Sequence, residues 1–380
     1  MDRRWGAEGE YGTGGGNLVS EESMHNLQIA EDLCRKGKPN DAVPYLMIAL
    51  KDKNNFDAEI KMAFLSPDLF FSVEVLESAE ARARALLIQH LGADCFNDCG
   101  PCVGKFWDIL LTRPYMRVLE ALVRMYFETK QYGKAATTII EMLRLCPGDN
   151  MQQRAWLGPL LIRAGRPADA LFFCQTWIQF AGKGTLIKGG TAFRAPSDKL
   201  LSPDSEEQYA QYPAGNLAHT AALAAFKLWG PCPQAAQLLR IAARTNPAIL
   251  ARIIGRRAQP VEGKMTPRAR NGPEDAHDYL WIAQDLWMEP AVWDWACTAD
   301  PNVLGAILRC CTRPECTAEE TEATQFKRCA ACQQVMYCGL ACQKADWTRH
   351  KPDCRKQMEY KKMLKNIANH KPPTDAVGRG

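Results

Sequence analysis

The sequence contains no apolar run that approaches the roughly 18 residues of a membrane-spanning helix. Residues 1–16 carry glycines and carboxylates where a secretory signal peptide requires an apolar core. The formal net charge is only +4 over 380 residues, so composition gives no reason to expect a nucleic-acid-binding or membrane-surface protein. These absences favour an intracellular protein of the cytoplasm or nucleus, with no membrane partner.

Cysteine, by contrast, is abundant and concentrated near the C-terminal end. Seven of the 16 cysteines and one of the six histidines fall within residues 311–354 as four close pairs. The eight side chains are Cys311, Cys316, Cys329, Cys332, Cys338, Cys342, His350 and Cys354. Thiolate and imidazole are the donors that zinc prefers, and eight of them complete two tetrahedral sites. The spacing therefore predicts two structural Zn²⁺ ions, and the scattered remaining cysteines fit a reducing compartment.

The first ligand of this series has a competitor. Cys310 directly precedes Cys311, and either thiol could pair with Cys316. We prefer Cys311 as the ligand and interpret Cys310 as a buried thiol of the preceding helix.

Before the cysteine-rich segment, the chain shows repeated helical hairpins with a small residue early in the second helix. These small residues are Ala42, Ala135, Ala170 and Ala235. They are separated by 93, 35 and 65 residues. The last two separations are close to one and two tetratricopeptide periods of about 34 residues, and alanine permits the close approach of two crossing helices. We therefore predict a mainly α protein, an irregular tetratricopeptide-like α-solenoid followed by a small two-zinc finger.

The expected domain order follows from these patterns. Residues 1–18 are glycine-rich and are predicted to be disordered. Residues 19–310 form the helical-repeat domain, with a loop at 263–272, and residues 311–354 form the zinc finger. Residues 355–380 are expected to be a basic helical extension and tail. Because the connection between the last helix and the first ligand is short, we expect the finger to pack against the helical body.

The finger carries a family resemblance that extends beyond its ligands. The pattern is Cys329-x2-Cys332, Tyr337-Cys338-x3-Cys342-Gln343, Asp346-Trp347 and His350-Lys351-x2-Cys354. It resembles a MYND finger, a two-zinc module, and covers about an eighth of the chain. With its N-terminal helical repeats, the whole chain is similar to fungal-type MYND finger proteins.

This resemblance implies an interleaved metal arrangement. One zinc would be held by Cys311, Cys316, Cys338 and Cys342, and the other by Cys329, Cys332, His350 and Cys354. The later pairs are supported by their spacing, because ligands at i and i+4 share a helix face. The first pair departs from the family, which usually separates these cysteines by two residues rather than four.

The resemblance also implies a peptide-binding surface. MYND fingers generally dock proline-containing peptides, and the matching positions here are Gln343 and Trp347. A flat indole ring suits a preformed polyproline segment. The alternative is that Trp347 only fills the small core of the finger. The helical repeats are expected to bind a further protein partner, and the sequence does not indicate an oligomeric state.

Two other functional classes are alternatives to an interaction protein without catalysis. Some MYND fingers belong to SET-domain lysine methyltransferases, but the catalytic Asn-His-Ser-Cys segment is missing, and Asn369-His370 lies in the polar tail. A nucleic-acid-associated transcriptional regulator is the other alternative. Nucleic acid is not expected as a partner, because seven thiolates together with two zinc ions nearly cancel the excess of Lys and Arg around the finger.

Overall fold

The computed structural model describes residues 7–180, 184–212, 214–263 and 271–368. Most of the predicted loop at 263–272, residues 1–6 and the tail beyond residue 368 lie outside the described residues. The described residues form seventeen α-helices and one two-stranded sheet, which confirms the predicted mainly α class. The chain divides into two compact units, Met1–Arg166 with Gly182–Arg194 and Pro167–Ala181 with Ala195–Gly380.

The first unit is a succession of helices that pack against their neighbours in the chain. Its helices are α1 (Ala7–Tyr11), α2 (Glu21–Arg35), α3 (Pro39–Ala49), α4 (Phe56–Leu65), α5 (Leu69–Leu91), α6 (Arg113–Glu128), α7 (Tyr132–Leu145) and α8 (Arg154–Arg163), with short 3-10 turns at Thr13–Gly15, Leu110–Thr112 and Ile187–Gly190. From α2 to α8, each helix packs against the next one along the chain. Such nearest-neighbour packing is the arrangement of a solenoid.

The second unit contains the remaining helices and the only sheet of the described residues. Its elements are α9 (Pro167–Phe180), α10 (Pro203–Gln211), α11 (Gly215–Trp229), α12 (Pro233–Thr245), α13 (Pro247–Ile254), α14 (Pro273–Trp287), α15 (Pro290–Thr298), α16 (Pro301–Ile307), β1 (Lys327–Arg328), β2 (Met336–Tyr337) and α17 (Leu340–Ala368). Here α9 packs on α11, each helix from α11 to α14 packs on its successor, and α16 packs on α12 and α13. No described helix of either unit is long and apolar enough to cross a membrane.

Proline is the first residue of many of the helices. Eight helices begin at a proline, namely α3, α9, α10, α12, α13, α14, α15 and α16. Proline suits this position because the first helical N–H has no intrahelical partner and the ring already fixes a helical φ. At the hairpin turns, Gly37 and Gly230 have φ of +74° and +73°, a backbone conformation that disfavours any side chain.

The four alanines predicted at helix crossings, Ala42, Ala135, Ala170 and Ala235, are all fully buried. Their burial agrees with the close-approach interpretation, and the solenoid-like succession of helices is as predicted. The specific relation to tetratricopeptide repeats remains a prediction.

The predicted disorder of residues 1–18 is wrong for residues 7–18. Helix α1 places Glu8 in the interior, where its carboxylate accepts hydrogen bonds from Arg117 of α6 at 2.8 and 3.2 Å. Arg117 also donates to Asp57 of α4 at 2.6 and 2.9 Å, so one guanidinium joins two carboxylates. The glycine-rich composition of residues 1–18 does not reveal that Glu8 has a partner more than a hundred residues away. The ion pair with Arg117 holds this segment in place although the segment has little apolar periodicity of its own.

An aromatic cluster lies inside the second unit around a buried histidine. His219 of α11 packs against Tyr279 and Trp287 of α14 with ring centroids 5.9 and 6.3 Å apart. Its Nδ1–H donates to the carbonyl of Gly215 at 2.7 Å. Burial lowers the pKa of His219 to about 4, so the ring is neutral in the folded protein at neutral pH.

Candidate zinc centre

The predicted ligands are carried by the segment between α16 and β1, which holds Cys311 and Cys316, by a short hairpin and by one long helix. Strands β1 and β2 pair antiparallel, with Lys327 opposite Tyr337 and Arg328 opposite Met336. Cys329 and Cys332 lie in the turn between the strands, and Cys338 follows β2 directly. The last three ligands lie on α17. This topology brings ligands that are far apart in sequence to the N-terminal half of α17.

The structure groups the eight side chains into two sets of four. The first set is Cys311, Cys316, Cys338 and Cys342, and the second is Cys329, Cys332, His350 and Cys354. Within each set, the ligand atoms all lie within 4.8 Å of one another. This is the interleaved grouping that the resemblance implied. The second set is completely buried, whereas the first is partly exposed at Cys338.

The distances between ligand atoms fit tetrahedral zinc. Four sulfurs that each lie about 2.3 Å from one ion at tetrahedral angles are about 3.8 Å apart. In the first set, the Sγ atom of Cys338 lies 3.7 Å from that of Cys316 and 3.5 Å from that of Cys342. In the second set, the Sγ atoms of Cys329 and Cys354 are 3.9 Å apart.

The histidine completes the second set through its Nε2 atom. This atom lies 3.4 Å from the Sγ atom of Cys332, which matches the shorter edge expected where nitrogen replaces sulfur. The first set therefore offers four thiolates, and the second offers three thiolates and one imidazole. Both are closed donor sets typical of structural zinc, so zinc would supply cross-links here and no open coordination position.

The unusual spacing of the first ligand pair has a local explanation. The N–H of Cys316 donates to the carbonyl of Arg313 at 3.0 Å and closes a four-residue turn. Pro314 occupies the second position of that turn, where its fixed φ is favourable. The two additional residues are thus absorbed in the turn, and Cys316 reaches the same cluster as Cys311.

The preference for Cys311 over Cys310 agrees with this geometry, but the interpretation of Cys310 as a buried helical thiol is wrong. Helix α16 ends at Ile307, and Cys310 is exposed with its Sγ atom 3.6 Å from a carboxylate oxygen of Glu319. Cys310 and Glu319 form a β-bridge, and the alternation of an extended backbone directs neighbouring side chains to opposite sides.

In each set, one thiol is predisposed to ionise. Burial raises the pKa of Cys329, but hydrogen bonds from the backbone of Cys332 and Ala331 and from His350 outweigh it and lower that pKa to about 6. Burial likewise opposes ionisation of Cys311, yet backbone and thiol hydrogen bonds lower its pKa to about 7. Because zinc binds the thiolate form, each set already favours a first metal–sulfur bond near neutral pH.

A polar network that the sequence analysis did not recognise holds α17 to the hairpin. Buried Asp346 accepts a hydrogen bond from the Tyr337 hydroxyl at 2.7 Å and from Arg349 at 2.6 and 2.8 Å. Arg349 also donates to the carbonyl of Thr312 at 3.0 Å. Burial acts to raise the pKa of Asp346, but these hydrogen bonds prevail and lower it. Two sequence signals were present, namely the family pattern that includes Tyr337 and Asp346 and the i, i+3 spacing of Asp346 and Arg349, but neither identified the hydrogen bonds.

The finger contacts the helices of its own unit, as predicted. Arg257, just after α13, donates to the side chain and carbonyl of Thr324 at 2.8 and 2.9 Å. On α17, Lys361 pairs with Glu274 of α14 at 2.9 Å and donates to the carbonyl of Cys332 at 3.1 Å. The extension after the last ligand is therefore a continuation of the ligand-bearing helix that also supports the second zinc site.

The two predicted peptide-contacting residues lie one turn apart on α17. Gln343 is half-buried, whereas the Trp347 side chain is 42% exposed. The small core of the finger is instead formed by Phe326 and Tyr337 beside Cys311. Trp347 meets the His350 ring edge to face with centroids 6.0 Å apart. The alternative in which Trp347 merely fills the core is therefore not supported by its position.

Comparison with known proteins agrees with the geometry of this region. Residues 309–354 match the sequence model of the MYND finger. The segment is thus a MYND finger, a zinc-binding protein-interaction module with two clusters that hold structural zinc. No solved structure matches the chain.

Similarity to curated proteins is confined to short segments. An F-box protein of Arabidopsis thaliana is 42% identical over 62 residues, which is 16% of each chain. A histone-lysine N-methyltransferase of the same plant is 44% identical over 34 residues, 9% of this chain and 7% of that protein. SET domain and MYND-type zinc finger protein 6 of Schizosaccharomyces pombe is 45% identical over 40 residues, 10% of this chain and 8% of that protein. The chain therefore spans less than a fifth of these relatives.

Proposed function

We propose that this protein is a non-catalytic interaction protein in which a zinc-stabilised finger docks proline-containing peptides and the helical repeats bind a further protein. The peptide would lie across Gln343 and Trp347, and the two zinc ions would be structural. The observation that carries the proposal is an exposed indole ring on a rigid helix, within one turn of a polar side chain. An aromatic face with a nearby amide is suited to a polyproline segment, whose carbonyls need a hydrogen-bond donor.

The zinc site supports this surface. His350, a ligand of the second set, lies against the Trp347 ring, and both residues belong to α17. Metal binding at His350 would restrict the side chain beside Trp347 and so lower the conformational entropy lost on peptide binding. The structural zinc would thus contribute to peptide binding by holding His350 beside Trp347.

The test compares Trp347→Ala with Tyr360→Ala in the full zinc-loaded chain, using a fluorescein-labelled peptide that contains a run of prolines. Tyr360 is a matched control because it is a similarly exposed aromatic residue on the same helix. We expect Trp347→Ala to weaken binding by roughly thirtyfold, the loss of a hot-spot aromatic, and Tyr360→Ala to leave it unchanged. Equal affinity in all three proteins, with zinc content intact, would remove the docking proposal.

Two alternatives give different signatures. A SET-type methyltransferase would bind S-adenosylmethionine, but the similarity to SET proteins is local to the finger. A nucleic-acid-associated regulator would bind an oligonucleotide with an affinity that falls steeply with salt. Titration of the full chain with each of these two ligands separates both alternatives from peptide docking.

A further inference from the structure

Helix α17 continues for fourteen residues beyond its last ligand, Cys354, and one of its faces is exposed from Leu340 to Lys362. We call this face the basic stripe. Its members are Leu340, Lys344, Trp347, Lys351, Arg355, Met358 and Lys362. All seven side chains are exposed. At 3.6 residues per turn, these positions fall within about 80° of the helix circumference.

The stripe contains apolar as well as basic side chains. Leu340, Trp347 and Met358 lie on nearly one line along the helix and are 69%, 42% and 44% exposed. Exposure of several large apolar side chains in line is a common mark of an interaction surface.

The stripe also contains four basic side chains, Lys344, Lys351, Arg355 and Lys362. None of them forms an ion pair within the part of the chain that the structure describes. Nearby carboxylates offset their charge only in part. Asp346 is buried and bonded to Arg349 and Tyr337, and Asp353 lies on the other side of the helix. Glu359 lies at the edge of the stripe, one turn from both Arg355 and Lys362, so three positive charges of the stripe remain in excess. The face is therefore positively charged, with an apolar line along it.

We propose that the basic stripe binds an acidic peptide segment with interspersed apolar residues, adjoining the proline-binding position at Trp347. This inference rests on the proposed function and specifies its ligand class. Carboxylates pair with the cations, whereas apolar side chains of the peptide cover Leu340 and Met358. The apolar line is too narrow for a membrane-surface helix, which requires a wide apolar face.

The length of the stripe sets the position of the acidic residues. From Trp347 to Lys362 the helix rises about 22 Å, which is the length of about seven residues of polyproline conformation. The acidic residues should thus lie within roughly seven positions of the prolines, on one side of them. A peptide with carboxylates farther away could not contact the cations while its prolines contact Trp347.

The experiment uses the full zinc-loaded chain and labelled peptides in matched pairs. In one peptide, four prolines are followed by Glu-Leu-Glu-Glu-Leu-Glu, and its partner has Gln for each Glu. A second pair places the same acidic segment before the prolines. We expect the Glu peptide of one pair to bind about tenfold more tightly than its Gln partner, as three exposed ion pairs would provide, and the advantage to shrink in high salt.

Protein variants assign this advantage to the stripe. The triple variant Lys351→Ser, Arg355→Ser and Lys362→Ser should abolish the preference for Glu over Gln. Lys356→Ser is the matched control, since Lys356 is exposed on the same helix but away from the stripe, and it should preserve the preference. Zinc content and thermal unfolding, measured for each variant, verify that the finger remains folded.

The outcomes separate the two proposals. If Trp347→Ala weakens every peptide but Glu and Gln peptides bind equally, docking stands and the acidic-ligand inference is overturned. If Trp347→Ala changes nothing, the proposed function itself fails. Binding of phosphatidylserine vesicles or a single-stranded oligonucleotide that is lost in the triple variant, without any Glu preference among the peptides, would also overturn the inference.

Discussion

Helices α2 to α4 and the zinc finger differ in what fills their interiors. The helices enclose a continuous apolar cluster in which every core side chain is completely buried, and its members are Leu27, Ala30, Ala42, Leu46, Ala49 and Ala58. The finger has only Phe326 and Tyr337 as large core side chains, beside eight metal-ligating residues. Packing of helices against their neighbours suffices in the first case, whereas the finger depends on metal cross-links. The helices and the finger are thus stabilised by different interactions, and separate substitutions can disrupt each of them.

The largest expected effect comes from removing a zinc ligand. Cys311→Ser should lose one of two zinc ions and unfold part of the finger, because structural zinc contributes roughly 10–16 kcal/mol in small fingers. Elemental analysis and limited proteolysis measure the loss, and the far-ultraviolet circular dichroism of the helices should change little. The neighbouring variant Cys310→Ser is the control and should keep both ions. Two bound ions in Cys311→Ser, or one in Cys310→Ser, would contradict the ligand assignment.

A smaller effect is expected from the buried ion pair of the first unit. Glu8→Ala leaves Arg117 buried with Asp57 as its remaining partner and should destabilise that unit by about 3 kcal/mol. Urea unfolding measures this change, and zinc content should not alter. Glu10→Ala, an exposed change on the same helix, should have an effect below about 0.5 kcal/mol. Equal midpoints for the two variants would show that the ion pair between Glu8 and Arg117 contributes no stability.

The third test uses pH to distinguish apolar packing from metal binding. The pKa of His219 is about 4 in the folded protein, below the value of about 6.5 in an unfolded chain. The unfolded state therefore binds more protons between these values, and stability falls as the pH decreases from 6.5 to 4. Between pH 7.5 and 4.5, this residue should reduce the free energy of unfolding by about 2–3 kcal/mol.

A His219 variant separates the pH dependence due to this histidine from that of the zinc ligands, which also bind protons at low pH. His219→Gln should lose the 2–3 kcal/mol component of the pH dependence, whereas the component from metal release should persist. Urea unfolding followed by tryptophan fluorescence at both pH values supplies the comparison. An identical pH dependence in the two proteins would mean that His219 is accessible to protons in the folded state.

The sequence predicted the features that repeat or pair at fixed spacing. Helices, crossing alanines and the eight ligand residues follow from local periodicity or from the close pairing of cysteines, whereas the division of the ligands into two interleaved sets was implied by the resemblance to MYND fingers. The sequence did not reveal the partners that join distant segments, such as Glu8 with Arg117 or Lys361 with Glu274. A charged residue looks the same in the sequence whether its side chain is solvated or ion-paired, so only the fold identifies its partner. For the same reason, the exposed position of Cys310 could not be distinguished from a buried one.

Helix α17 supplies Cys342 to the first ligand set and both His350 and Cys354 to the second. Either ion, once bound, holds the same helix and so brings the ligands of the other site closer to their final positions. Occupancy of the two sites is thereby linked, and the second ion should bind with higher affinity than the first. We expect metal uptake to be cooperative, with the chain passing from metal-free to doubly loaded while little of the singly loaded form accumulates.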